Sequence, residues 1–176
     1  MLKIKNILLL LIVFLVIGVY LTGFNHTGTA NLKDEDFNYQ FTLKTLEGDR
    51  LSMETLKRKV IFLNMWATWC GPCRDEMPGI QKLFENTKSD DIVFVMLSVD
   101  KEGDQNKVAA YLKRNNFTFT AYMPTEKMST QLNVPSIPTT FIISKDGKIT
   151  HQKIGSTNYN SEKYRKMLQE LAAKKL

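Results

Sequence analysis

Apolar positions along the chain fall into three patterns, and each predicts a different element. The first is an unbroken run, Ile7–Ile17, nearly free of polar residues through Leu21. Lys3 and Lys5 precede it, and no charge follows until Lys33. The second comprises shorter continuous runs at Val60–Leu63 and Ile92–Val99, each reading as a strand buried on both faces. The third is helical spacing. Ile80, Leu83 and Phe84 give one apolar face to a helix opening near Cys70. Val108, Tyr111 and Leu112 do so for a helix capped by Asp104 and ending near Asn115-Asn116. Tyr164, Met167, Leu168 and Leu171 mark a closing helix. Between these, 37–43 reads as an extended segment before the turn Glu47-Gly48-Asp49, and Ser52 opens a helical turn through Leu56. A strand is expected at 117–122 and a short helix at 128–132. Thr139–Ile143 and Lys148–Lys153 flank the hairpin signal Lys145-Asp146-Gly147. The order β-β-α-β-α-β-α-β-β-α calls for an α/β domain with a mixed central sheet flanked by helices.

The amino-terminal run decides the compartment. Ile7 to Phe24 is near the lower length for a bilayer-spanning helix, and the flanking lysines belong on the cytoplasmic side. A retained anchor over 1–24 is favoured over a cleaved signal peptide. The small residues Gly28-Thr29-Ala30, where cleavage would fall, lie well beyond the apolar run. A lipoprotein is disfavoured because Phe24, not cysteine, follows Leu21-Thr22-Gly23. Each reading exports the remainder: a polar tether over 25–35, then one globular domain over 36–176. Hydrophobic residues make up 43% and charged residues 24%, which excludes both extensive disorder and a polytopic membrane protein. The net charge of +6 is spread along the chain and is too weak to argue for nucleic acid.

The chain has two cysteines, too few for a disulfide scaffold, but their spacing Cys70-Gly71-Pro72-Cys73 is sharp. A structural zinc needs four ligands, whereas His26 lies in the tether and His151 in a predicted strand. Covalent haem would need histidine after Cys73, where Arg74 stands. A peroxide-reducing cysteine would want Thr or Ser three residues before and Pro seven before; Ala67 and Leu63 are there. Redox chemistry of the pair itself remains, with a static disulfide as the competing reading in an oxidising compartment. Placement favours reactivity. Unpaired N–H groups and the dipole at the helix start favour a Cys70 thiolate. The short spacing lets the second thiol attack a mixed disulfide at once, and Pro72 stiffens the ring between them. Arg74 is read as a solvated surface residue.

The run Leu63-Asn64-Met65-Trp66-Ala67-Thr68-Trp69-Cys70-Gly71-Pro72-Cys73-Arg74-Asp75-Glu76-Met77-Pro78, with Val134-Pro135-Ser136-Ile137-Pro138-Thr139-Thr140-Phe141 downstream, resembles the thioredoxin superfamily. More narrowly, it resembles the membrane-anchored TlpA/ResA-like branch of extracytoplasmic thiol-disulfide oxidoreductases. That resemblance implies a thioredoxin-like fold with an N-terminal β extension and a central insertion near 101–130. It makes Cys70 the attacking nucleophile and Cys73 the resolving thiol. Pro138 matches the family's cis-proline, with Ile137 offering backbone hydrogen bonds to an extended substrate; Pro135 is the rival for a cis bond. Trp69, Gly71 and Pro72 are expected at the substrate-facing surface, and Trp66 and Trp69 to supply apolar contact. The buried Asp of ordinary thioredoxin is Asn64 here, which exchanges no proton near neutral pH. Glu76, one helical turn from Cys73, matches the acid of this branch and is expected to govern thiol acidity or transfer protons.

The expected activity is reduction of disulfides in exported proteins through the Cys70/Cys73 dithiol, with apocytochrome c as one candidate substrate. No cofactor or metal is expected beyond that redox-active pair. Without a third cysteine to relay electrons, a transmembrane thiol donor is expected to recharge it. An oxidase or isomerase, and a non-catalytic thioredoxin-fold binding module, are the alternatives.

Overall fold

The apolar run at Val60–Leu63 continues three residues further in the computed structural model, which describes residues 34–125 and 128–176. It forms the wholly buried strand β3 (Val60–Trp66). Around it lie β1 (Thr42–Thr45), β2 (Arg50–Ser52), β4 (Ile92–Ser98), β5 (Ala121–Pro124), β6 (Thr139–Ile143) and β7 (Ile149–Ile154). The helices are α1 (Gly71–Thr87), α2 (Gln105–Arg114) and α3 (Glu162–Ala173), with 3-10 turns at Met53–Leu56 and Thr130–Leu132. The strands make one mixed sheet in the order β2-β1-β5-β4-β3-β6-β7. β3 runs parallel to β4 from Val60↔Ile92 to Trp66↔Ser98, and β4 parallel to β5. β3 pairs antiparallel with β6 from Ile61↔Ile143 to Met65↔Thr139. The expected α/β architecture is therefore present.

Side chains alternate across β3, so the sheet carries two cores. Phe62 and Trp66 face one side with Phe94 and Met96, and there the buried residues of all three α-helices gather: Ile80 and Leu83 of α1, Val108 and Leu112 of α2, Leu168 and Leu171 of α3. Ile61, Leu63 and Met65 face the other side with Val95, Leu97 and Phe141. That side is covered by the extended segment Phe37-Tyr39-Phe41 and by Met53 and Leu132 of the 3-10 turns. The β1–β2 hairpin forms the amino-terminal β extension. Helix α2 and strand β5 extend the parallel part of the sheet beyond β4.

Several local expectations shift. The alternation at 37–43 reflects burial more than pairing: the ladder begins only at Thr42, and Phe37 and Tyr39 pack edge to face at 5.0 Å. Strand β2, three residues long and partly exposed, leaves no apolar signature. The strand expected at 117–122 starts at Ala121, because Gln81 of α1 takes over the backbone before it. Its Oε1 accepts the Thr118 N–H at 2.9 Å, while Phe117 and Phe119 stack at 5.4 Å. Helix α1 continues through Pro78, which offers the Arg74 carbonyl no N–H. Asp104 stands at the α2 N-cap position without a side-chain capping bond and pairs with Lys107 at 3.6 Å. The Lys145-Asp146-Gly147 turn closes as expected, with Gly147 at φ +83° and its N–H donating to the Ser144 carbonyl at 2.9 Å.

The expected anchor (1–24) and most of the tether (25–35) lie outside the described residues. Asp34 and Glu35, read as the tether's end, are already bonded into the domain. The Asp34 N–H donates to the Ile149 carbonyl at 2.7 Å, and the Ile149 N–H to the Glu35 carbonyl at 2.9 Å. Among the described residues no helix is long and apolar enough to cross a membrane.

Phe62 joins the strand layer to the helix layer, stacked on Phe94 at 4.8 Å and edge-on to Tyr159 at 5.1 Å. Phe62→Ala should cost about 3–5 kcal/mol. Urea unfolding of the two oxidised proteins measures it, and a loss below about 1 kcal/mol would mean that this contact does not couple the layers.

Candidate active site

The C-terminal end of β3 delivers the chain to the cysteine pair. Trp66 ends the strand wholly buried, 5.6 Å from the Tyr111 ring, and so belongs to the core. Thr68 is then fixed by Asp100, just beyond β4. Its N–H donates to Asp100 Oδ2 at 2.8 Å and its hydroxyl to Oδ1 at 2.5 Å. Ser98 donates to Oδ2 at 2.8 Å, and Lys107 reaches Oδ1 at 3.4 Å. Burial alone would raise Asp100; the bonds from Thr68, Ser98 and Lys107 outweigh it and hold the carboxyl below the usual range. This ionised clamp sets the loop that presents Trp69, which is 62% exposed and stands out into solvent. The clamp went unread in the sequence. Its one available signal was the position of Ser98 and Asp100 at the carboxyl end of a parallel strand, where α/β sheets place their sites.

Cys70 and Cys73 are joined in a disulfide. Cys70 is the N-cap residue of α1: its Sγ accepts the Cys73 N–H at 3.2 Å and its carbonyl accepts the Arg74 N–H at 3.1 Å. The Cys73 N–H thus points at this sulfur at the helix start, which is where negative charge would develop on reduction. Cys70 retains 5% exposure and Cys73 none, so an incoming sulfur meets Cys70. Gly71 is half-buried and Pro72 exposed beside the pair. Across from them, the Ile137–Pro138 peptide is cis, and Cys70 Sγ lies 3.9 Å from the Ile137 carbonyl oxygen. Ile137 is half-buried, Pro138 is buried, and the Pro138 carbonyl accepts the Gly155 N–H at 2.8 Å. Pro135 is exposed and is not the cis residue.

Glu76 points inward and is 3% exposed. Asn64 Nδ2 donates to its Oε1 at 2.9 Å, and the Thr157 N–H donates to its Oε2 at 3.3 Å. Burial dominates and pushes the carboxyl up to about 7, against the opposing pull of Asn64, Thr157 and the Lys153 charge. Asn64 also donates to Thr140 Oγ1 at 2.8 Å, and the Tyr159 hydroxyl donates to the same oxygen at 2.6 Å. A neutral-pH acid, one helical turn behind a buried thiol, can hold or yield a proton when the disulfide opens. Thr140, Thr157 and Tyr159 were not singled out in the sequence; only the alternation of β6, which sets Thr140 opposite Asn64, pointed to one of them.

The pattern of the AhpC/TSA family matches residues 36–152. The Thioredoxin-like protein YneN of Bacillus subtilis (strain 168) is 32% identical, over 82% of this chain and 88% of that protein. Thiol-disulfide oxidoreductase ResA of Bacillus thuringiensis subsp. konkukian (strain 97-27) is 30% identical, over 93% of this chain and 98% of its own length. Among solved structures, a thiol:disulfide interchange protein of the thioredoxin family from Chlorobium tepidum TLS superposes with a TM-score of 0.68 at 23% identity. That superposition covers 82% of this chain and all of the other, and it speaks for the fold.

Glu76 makes the stability of the oxidised domain depend on pH. Folding raises the proton affinity of this carboxyl, so its contribution favours the fold below about pH 4.5 and is lost as pH rises through about 7. Relative to Glu76→Gln, the unaltered protein should lose about 3 kcal/mol over that window. Chemical denaturation of both proteins at pH 4.5 and pH 8 measures the difference; a difference that stays constant with pH would remove the raised carboxyl.

Proposed function

The chain belongs to the AhpC/TSA family and is a ResA-like thiol-disulfide oxidoreductase of thioredoxin fold, and on that premise we propose that it reduces disulfides in exported proteins while anchored to the membrane. The observation that carries the reading is the sulfur of Cys70, the less buried of the pair, which accepts the Cys73 N–H at the start of α1 beside the cis Ile137–Pro138 peptide. In the reduced protein the Cys70 thiolate attacks a substrate disulfide, forming a mixed disulfide and expelling one substrate thiolate. The Cys73 thiolate then attacks Cys70 Sγ, re-forming the Cys70–Cys73 bond and releasing the second substrate thiol. Two electrons pass to the substrate, which takes up two protons. The helix start stabilises the first thiolate, and Glu76 exchanges the proton of Cys73, the buried thiol one helical turn away. The exposed Trp69 and Pro72, together with Gly71 and the Ile137 backbone, offer the surface against which an extended substrate segment lies.

The chemistry resides in the two sulfurs and calls for no bound cofactor or metal. The AhpC/TSA match does not bring peroxide chemistry with it, because Ala67 and Leu63 occupy the positions that such a cysteine requires. Residues 1–24 serve as a single-pass anchor with Lys3 and Lys5 on the cytoplasmic side, and 36–176 as the extracytoplasmic catalytic domain. A transmembrane thiol carrier returns the pair to the dithiol. Apocytochrome c before haem attachment is the substrate that suits a ResA-like reductase, since haem attachment needs free thiols. The Gly71-Pro72 dipeptide is that of thioredoxin, a reducing couple, and weighs against an oxidase.

Cys73→Ala in the full-length chain should trap mixed disulfides between Cys70 and exported proteins in the membrane fraction, released by reductant. The unaltered pair should titrate near the thioredoxin potential, about −270 mV, and far from the DsbA end at about −120 mV. Absence of trapped partners would leave a binding module with a static disulfide, and a potential near the DsbA value would make the protein an oxidase.

A further inference from the structure

The hydrogen bonds around Glu76 do not close at Asn64. Asn64 is wholly buried in β3, both of its Nδ2 hydrogens are committed, and its Oδ1 is buried without a partner. A primary amide can turn over with almost no change of shape, yet its two orientations are unequal in this setting. With Nδ2 toward Glu76, the carboxyl and Thr140 Oγ1 both act as acceptors, and one carbonyl oxygen goes unpaired. With Oδ1 toward Glu76, the carboxyl must carry a proton and the Thr140 hydroxyl must donate. Two buried N–H groups would then face the place where Oδ1 now finds nothing, the costlier arrangement. The Tyr159 hydroxyl holds the Thr140 oxygen from the far side, donating to it at 2.6 Å, while the same oxygen accepts Asn64 Nδ2 at 2.8 Å. Tyr159 is itself wholly buried.

We propose that Thr140 and Tyr159 are positioning residues that lock the Asn64 amide with its N–H toward Glu76, and so set the pH at which Glu76 exchanges its proton with the active-site thiols. The inference rests on the reading of Glu76 as that proton-exchanging group. Asn64, which cannot exchange a proton itself, becomes a fixed donor whose direction is dictated from the far side by two hydroxyls. The groups that bear on Glu76 are Asn64, Lys153 on β7, the Thr157 N–H, Tyr159, and Tyr164 on α3; Cys73 stands one turn back along α1. Both tyrosines are held above the ordinary phenol range, mainly by burial, and stay neutral around pH 7. His151 lies behind Tyr164, with its Nε2 3.4 Å from the hydroxyl. The Glu76 contribution is isolated by substitution.

The test is the rate of Cys70 alkylation by iodoacetamide in the reduced protein between pH 5 and 9, for the unaltered chain, Glu76→Gln, Thr140→Val, Thr140→Ser and Tyr159→Phe. Glu76→Gln should remove one inflection, which identifies it as that of Glu76. Thr140→Val should move that inflection up by about one pH unit, as expected for losing one oriented donor to a carboxylate. Tyr159→Phe should move it in the same direction by less, and Thr140→Ser should restore it. If Glu76→Gln removes the inflection while Thr140→Val and Tyr159→Phe lower only the melting temperature, the positioning role is overturned and the Glu76 reading stands. If Glu76→Gln leaves the profile unchanged, the Glu76 reading itself falls. Should Thr140→Val not fold, Tyr159→Phe decides alone.

Discussion

The whole arrangement hangs on one strand that is buried along its entire length. β3 is hydrogen-bonded along its length to β4 on one side and to β6 on the other, so its register is fixed from both edges at once. A slip of one residue would exchange its two cores and carry Asn64 away from Glu76. Because the strand cannot slide, the residues leaving its end arrive at a fixed height, where Asp100 holds Thr68 and the Ile137 carbonyl lies beside Cys70. The rigidity needed to hold two sulfurs and a carboxyl in register is supplied by apolar burial beneath them, not by the site's own polar contacts.

Two buried carboxyls flank this strand end, and they come out on opposite sides of the ordinary range. Asp100 collects two donors from Thr68, one from Ser98 and a lysine. Glu76 collects one amide hydrogen at 2.9 Å and a longer backbone bond at 3.3 Å, in a dry setting. Burial is the first influence on both; the number and quality of donors decides the sign. The fold therefore keeps one carboxyl permanently charged to hold a loop and another poised to change charge. This is a division of labour by surroundings between two nearly identical groups.

The chemistry of this protein was concentrated in stretches the sequence displays openly. Cys70-Gly71-Pro72-Cys73 and the apolar run into it could be placed from residue type and spacing, and the Pro138 turn from the family resemblance. The α1, α2 and α3 faces followed from their periodicity. What stayed hidden depends on contacts between residues distant in the chain. Gln81 displaces the start of β5 because its amide happens to satisfy Thr118 across the helix–sheet gap. Tyr159 comes from a segment with no periodic signal, and its importance lies wholly in the oxygen it touches, 19 residues away. The cover of the second sheet face is likewise a tertiary outcome. Aromatic residues at 37, 39 and 41 look like a strand by alternation, but their work is done by ring packing.

The chain enters the folded domain at Asp34, tied to Ile149 at the start of β7, while the disulfide sits near that strand's other end, where Ile154 pairs with Thr139. Roughly 17 Å of strand separates the two poles. The chain's point of entry and the redox pair therefore occupy opposite ends of β7, and the entry bonds made by Asp34 and Glu35 take no part in holding the sulfurs.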